Sequence, residues 1–406
     1  MFKKFNNAAL HTMAISVGLG VFFVSLSKLI LLIDFLIIIF INKKINIKNT
    51  LNAMPRSLIV LVVACLWMAL SYLWTDATDA EAGKALVRHL RLLLLVGIFY
   101  LIDSRDQAIS ILKWLLIVQV IIVCLSWLMF IGIYLPFEQT KQPMHFAVPF
   151  TSTLEQPIMT SLALAVIVFL WADWVKFISK PVLVFVISLS VANIVIVMSG
   201  RTGYITLFTL IFLIAYLNKF QKKSMIFFVV LLSIPVLFFS YSRFHDKIQE
   251  IYGGVQKYSY GSVDSSEGQR LDYWDKSIKS MSERPYFGSG VGSWRNEYFR
   301  FNGAQINPPT NPHNQFFLWG VEAGVVGLFL FILFLVSLID DARKRLGKPE
   351  SRALISVTIL AMVVGVFNCP FYGAGMGEFF MVLFGCLLAM GKFSEANKTE
   401  SIRQPH

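Results

Sequence analysis

A histidine, two arginines and a glycine-rich turn in this chain are of types that together could act on an anionic substrate carrying a reactive hydroxyl. His313 lies in the segment Pro308-Pro309-Thr310-Asn311-Pro312-His313-Asn314-Gln315, directly ahead of an apolar run. A neutral imidazole can accept a hydroxyl proton near pH 7. Arg270 lies upstream in the same polar interval, and Arg201 sits in Ser199-Gly200-Arg201-Thr202-Gly203 between two apolar runs. Guanidinium groups present a fork of donors that matches phosphate oxygens. Gly288-Ser289-Gly290-Val291-Gly292 follows no strand and has no Walker lysine, so it is a tight turn where backbone meets backbone or ligand, not a nucleotide cradle. No Asp-x-Asp pair stands out nearby, and the six histidines, His11, His89, His145, His245, His313 and His406, are scattered. The sequence therefore points to no metal and no cofactor.

These residues must be held by a membrane-embedded frame. Of 406 residues, 56% are hydrophobic and only 15% charged, against about 25% charged in soluble domains. Apolar runs repeatedly reach the roughly 20 residues needed to cross a bilayer as a helix. They are continuous rather than alternating, which excludes a barrel. The fold class expected is an all-α polytopic membrane protein of about twelve spans. The long run from Ala8 to Ile41 divides into two at the polar cluster near Ser25 to Lys28. Further spans are placed at 57–74, 85–102, 108–135, 156–174, 181–199, 202–217, 224–241, 315–338, 352–368 and 372–391. The chain then divides into nine spans over 1–240, an outer loop domain over 241–314, three spans over 315–391 and a tail over 392–406. Lys3 and Lys4 precede an apolar stretch without a small-residue cleavage site, which reads as a retained first helix. Cys65, Cys124, Cys369 and Cys386 show no ligand spacing and read as small core residues.

The net charge of +12 is read as topogenic, with no nucleic-acid partner. Lys43, Lys44, Lys48 and Arg56, then Arg105, then Lys176 and Lys180, then Lys219, Lys222 and Lys223, then Arg343, Lys344, Arg345, Lys348 and Arg352 fall on alternate loops. Both termini are thus expected in the cytoplasm, with 241–314 outside. Lys84, Arg88 and Arg91, Arg201 and Arg270 break this pattern by lying on the outer side. Charges entering membrane helices mark functional sites by default, while snorkelling to headgroups is the plainer account of Lys84 and Arg88. Within the outer loop, Ser266 and Gln269 form a capping-box pattern, and Leu271, Trp274, Ile278 and Met281 recur at helical spacing before Pro285. Arg270 falls in the first turn of that helix, where it favours an anion, unless Asp264 or Glu267 pairs with it.

The order of Ser199-Gly200-Arg201-Thr202, Gly268-Gln269-Arg270-Leu271-Asp272-Tyr273-Trp274, Arg284-Pro285-Tyr286-Phe287-Gly288 to Gly292, and Pro312-His313-Asn314-Gln315 to Glu322-Ala323-Gly324 resembles the O-antigen ligase and polymerase superfamily. One large outer loop and no C-terminal soluble domain are similar to the ligase branch. The resemblance implies a glycosyltransferase of lipopolysaccharide biosynthesis in the bacterial inner membrane, with its site facing the periplasm. It implies metal-independent, inverting transfer of a glycan from undecaprenyl pyrophosphate to a sugar hydroxyl of the lipid A core. His313 would be general base, Arg201 and Arg270 would hold the pyrophosphate, and Lys84, Arg88, Arg91, Gly288, Gly290 and Asn314 would line the substrate site. Glu322, deeper on the helix, would pair within the bundle. An O-antigen polymerase and a transporter of an anionic lipid or glycan are the alternatives.

Overall fold

The computed structural model describes residues 2–403 except 20, 42–53, 134–147, 151, 199, 219–248, 250, 257, 260–262 and 306. Among the described residues every regular element is a helix. The first group is α1 (Phe2–Ser16), α2 (Val21–Ile41), α3 (Arg56–Leu70, extended by a 3-10 turn to Trp74), α4 (Asp79–Leu90), α5 (Leu94–Leu101) and α6 (Arg105–Phe130). Then come α7 (Glu155–Phe169), the single turn α8 (Trp171–Trp174), α9 (Lys180–Ala192, running into a π turn at Asn193–Val197) and α10 (Arg201–Leu217). Two helices, α11 (Ser266–Glu283) and α12 (Trp294–Arg300), precede α13 (Gln315–Arg343), α14 (Pro349–Phe367) and α15 (Met376–Arg403).

Among the described residues, six helical stretches are long and apolar enough to cross a membrane: Arg56–Trp74, Arg105–Phe130, Lys180–Val197, Gln315–Arg343, Pro349–Phe367 and Met376–Phe393. Glu155–Phe169 and Arg201–Leu217 are apolar but shorter. Large apolar side chains such as Phe22, Leu66, Phe185 and Phe329 stand exposed, which suits a surface facing lipid. The chain is thus a multi-pass membrane protein, although six long apolar helices among the described residues fall short of the twelve expected. One difference has a clear cause. The expected span 85–102 is interrupted by a 3-10 turn at Arg91–Leu93, where Arg91 turns to internal acceptors. The expected span 224–241 lies outside the described residues.

The polar cluster near Ser25 to Lys28 does not split the first apolar run; the turn between α1 and α2 comes earlier, after Ser16. The cluster stays helical because its polar groups find partners, as buried polar groups must. Ser27 bonds Ser16 at 2.7 Å, and Lys28 pairs with Glu378 of α15 at 2.7 Å. Glu378 is fully buried and also receives Arg91 at 3.1 Å. Around this polar knot α15 is buried without interruption from Met376 to Gly391, with Phe379, Phe380 and Phe384 among the fully buried side chains. Cys65, Cys369 and Cys386 are buried, while Cys124 is exposed.

α11 is helical as the spacing predicts, but its details differ. Ser265, one residue before the expected cap, accepts from the Gly268 N–H at 3.0 Å, so Arg270 stands in the second turn. The buried face is polar, made of Gly268, Asp272, Tyr273, Ser277 and Ser280, and Ile278 of the expected apolar stripe is half exposed. The reason is the partner. α12 offers Trp294, whose indole donates to Ser277 Oγ at 2.9 Å, and Glu297, which accepts from Ser280 Oγ at 2.6 Å. Tyr298 bonds Asp272, which also accepts from the Ala304 N–H at 3.1 Å. A polar but satisfied face packs as firmly as an apolar one. Trp274 and Met281 do pack against the helical core.

Candidate active site

The site begins with a break in α13. Gly324 has φ 67° and ψ −170° inside the helix, a conformation open essentially to glycine alone. The half-helix Gln315–Ala323 is therefore offset from the rest of α13, and its freed carbonyls need donors. The glycine turn supplies them: Ser289 N–H donates to Val321 O at 2.8 Å and Gly290 N–H to Glu322 O at 3.0 Å, while Val325 N–H reaches Pro285 O at 2.7 Å. On its other side the turn accepts from Asp76 N–H through Ser289 O at 3.0 Å. A Cβ at Gly288 would lie 2.6 Å from Gly324 N, and one at Gly290 would overlap Thr75. Gly288 and Gly290, expected to line the substrate site, thus serve a backbone-to-backbone lock, with the Gly290 amide taken by the protein. Gly324→Ala should destabilise the fold by roughly 1–3 kcal/mol from the backbone conformation alone, and more from the overlap with Tyr286. The check is thermal unfolding of the detergent-purified variant.

His313 precedes the half-helix and is gripped on both sides. Asn314 caps α13, its Oδ1 accepting from Phe316 and Phe317 N–H at 3.0 Å each. Its side-chain oxygen is thereby engaged by the helix. His313 N–H donates to Asn311 Oδ1 at 3.0 Å, and Trp274 of α11 donates to Pro312 O at 3.2 Å. The Tyr273 ring stacks near the imidazole with centroids 6.2 Å apart. From the other side, Gln315 N–H donates to Asn368 O at 3.1 Å, and Phe371 N–H to Gln315 Oε1 at 3.2 Å. His313 itself has φ 52°, a left-handed conformation that costs a non-glycine residue about 1–3 kcal/mol and concentrates at functional positions. Its Nδ1 is buried without a hydrogen-bond partner among the described residues.

Burial holds the His313 pKa below its ordinary value of 6.5, the Arg270 charge adds to this, and a hydrogen bond with Asn368 opposes it. The imidazole is thus neutral at pH 7 and able to take a proton. The acid limb of any His313-dependent reaction should lie below pH 6.5, with activity rising as pH passes through the lowered pKa. Arg270→Gln removes one of the two lowering influences, so in that variant the limb should move to higher pH. A pH–rate profile of both proteins would show it.

Arg270, whose charge reaches this histidine, has Arg201 close by. Arg201, the first residue of α10, pairs with Glu267 of α11. Arg270, one turn further along α11, has no ion pair or hydrogen bond among the described residues. Burial first, and then the nearby Arg201 charge, lower its pKa from the ordinary arginine range. Glu267 is thus on Arg201, and Arg270 keeps an unpaired, half-buried guanidinium beside a second one. Holding such a group out of water is costly unless an anion meets it.

The α4 cations differ among themselves. Arg88 donates to Thr310 Oγ1 at 3.1 Å and lies 4.9 Å over the Tyr372 ring, so it borders the loop that carries His313. Lys84 is exposed one turn earlier on the same face. Arg91 is engaged by Gly373 O at 2.7 Å and by Glu378, and acts inside the bundle. Sequence reasoning missed His89: its Nε2 meets Glu322 Oε2 at 2.7 Å, and both side chains are buried. It also missed Asn368 and Tyr372, in the short segment with Pro370, Gly373 and Gly375 between the last two helices, where the helix breakers were the one signal for them. Among the described residues no group of three His, Cys, Asp or Glu side chains is arranged to hold a metal ion.

The placement brings a neutral histidine, an unpaired guanidinium and a paired one to the same end of the helical bundle. Residues 186–332 match the family model described as O-antigen ligase. The chain carries an O-antigen ligase domain. That domain runs from α9 past the break in α13, so it contains Arg201, Arg270, the glycine turn, His313 and Glu322. Arg88, His89 and the 368–372 loop lie outside the matched residues and complete the surroundings of the site from both flanks of the O-antigen ligase domain. The family implies a glycan-transferring enzyme of the O-antigen ligase or polymerase type. No curated protein matches the chain.

Proposed function

We propose that this protein is an O-antigen ligase, moving a glycan from undecaprenyl pyrophosphate to a sugar hydroxyl of the lipid A core on the periplasmic face of the bacterial inner membrane. The observation that carries this reading is the unpaired Arg270 guanidinium adjoining both Arg201 and His313. Departure of the lipid pyrophosphate develops negative charge, and two preorganised guanidinium groups stabilise it where it forms. His313 takes the proton of the acceptor hydroxyl as the oxygen attacks the anomeric carbon, and the glycosyl–phosphate bond breaks on the opposite face, inverting that centre. Arg88, with Lys84 beyond it, lies at the rim of the site and suits the donor's remaining phosphate charge. Glu322, held by His89, steadies the half-helix that carries the base.

The test is transfer by the purified full-length protein supplied with lipid-linked glycan and lipid A core. Core-attached product formed without added metal and in the presence of EDTA supports the reading. Glycan lengthened on its lipid carrier, with the core untouched, would assign a polymerase instead. Activity lost on chelation and restored by Mg²⁺ or Mn²⁺ would give the pyrophosphate charge to a metal rather than to arginine.

A further inference from the structure

At the end of α13 opposite His313, a groove of about 650 Å³ opens between α3 and α13. Ile59, Leu333 and Val336 contribute to its apolar walls, and Arg56, Arg343 and Asp340 stand at its mouth. The ten residue-to-residue steps from Leu333 to Arg343 rise about 15 Å at 1.5 Å each, the hydrocarbon depth of one leaflet. Apolar below and cationic at one end, the groove has the profile of a lipid.

The charges at the mouth do not cancel. Lys344 pairs with both nearby acids, Asp340 at 3.1 Å and Asp341 at 3.2 Å. Asp341 also caps α3 by accepting from the Ser57 N–H at 3.0 Å. Arg56 reaches Asp340 only at 3.8 Å with its side chain 76% exposed, and the Arg343 guanidinium has no ion pair or hydrogen bond among the described residues. Arg56 is moreover the first residue of α3, where the helix dipole adds to its positive charge. Two guanidinium groups are therefore left to face the headgroup region.

We propose that this groove binds one anionic phospholipid, its phosphate between Arg56 and Arg343 and one acyl chain laid along α3 and α13. The phosphate supplies the counter-charge that Asp340 and Asp341 give to Lys344, and the chain fills apolar walls that a free phosphate would leave bare. The lipid would brace the α3–α13 pair, which at its other end is tied by the Trp67 indole donating to Ala323 O at 2.9 Å, beside the helix break. The assignment needs only that these helices span a bilayer, and it stands apart from the proposed reaction.

Native mass spectrometry of the full-length protein in detergent, titrated with phosphatidylglycerol, phosphatidylcholine or glycerol phosphate, tests it. Phosphatidylglycerol should remain bound one to one, and Arg56→Gln with Arg343→Gln should weaken it about thirtyfold, at roughly 1 kcal/mol for each cation near a membrane surface. Equal retention of phosphatidylcholine, or unchanged retention by the double variant, would overturn the site as ordinary lipid solvation. Glycerol phosphate binding as tightly as the lipid would overturn the role of the groove. Should the double variant fail to fold, thermal unfolding of the unaltered protein decides: phosphatidylglycerol must raise its unfolding temperature more than phosphatidylcholine does, and equal shifts refute the proposal.

Discussion

Replacing His313 by alanine should lower glycan transfer about 10²- to 10⁴-fold, the range a general base contributes, while the protein stays folded and inserted. The size follows from the state of the ring: burial and Arg270 keep it neutral, so the base is ready near pH 7. The left-handed backbone at this position makes the control matter, because alanine there keeps the strain and loses the ring together. Asparagine tolerates φ near +52° better than most residues and cannot accept the proton as imidazole does. His313→Asn should therefore match the alanine variant in rate and equal or exceed it in thermal stability. Transfer at the normal rate by either variant, at matched membrane levels, would remove His313 from the proton step.

The separation between rate and stability at His313 reflects how much of the site could be read from order and spacing. His313, Arg270 and Arg201 are far apart in the chain, yet the sequence singles them out because each departs from a simple expectation: a histidine ahead of an apolar run, and arginines that break the alternation of basic loops. Helix class was legible for the same reason, since long apolar runs permit little else. What stayed hidden depends on pairing at a distance. His89 looked like any scattered histidine until α4 brought it to Glu322, 233 residues away. The glycine turn looked open to a ligand until the break at Gly324 exposed the carbonyls that occupy its amides. The polar face of α11 could not be anticipated from α11 alone, because the partners that satisfy Asp272, Ser277 and Ser280 lie on and beside α12. Sequence periodicity weighs apolar residues, and here the buried contacts are largely hydrogen bonds.

Arg270→Lys should cost about 10²- to 10³-fold in transfer rate, comparable to deleting one donor to a developing oxyanion, although it conserves the charge. A guanidinium can face two phosphate oxygens with two parallel N–H bonds, whereas an ammonium is a single compact charge on a flexible stem. The two arginines should not respond alike. Arg201 is held by Glu267, so Arg201→Lys can keep an ion pair to that carboxylate and should lose less than Arg270→Lys. Glu267→Gln should in turn partly mimic damage at Arg201, since it frees the guanidinium from the group that aims it. Lys222→Ala and Lys344→Ala supply the contrast: both are read as topogenic, and Lys344 pairs with Asp340 and Asp341 at the far end of α13, so both should leave the rate nearly unchanged. Transfer rates in membranes at equal protein level give the ranking. If Arg270→Lys worked normally while Arg201→Lys failed, the pyrophosphate would have to be gripped by the Arg201–Glu267 end of the site. Normal rates in both would move it to Arg88 and Lys84 at the rim.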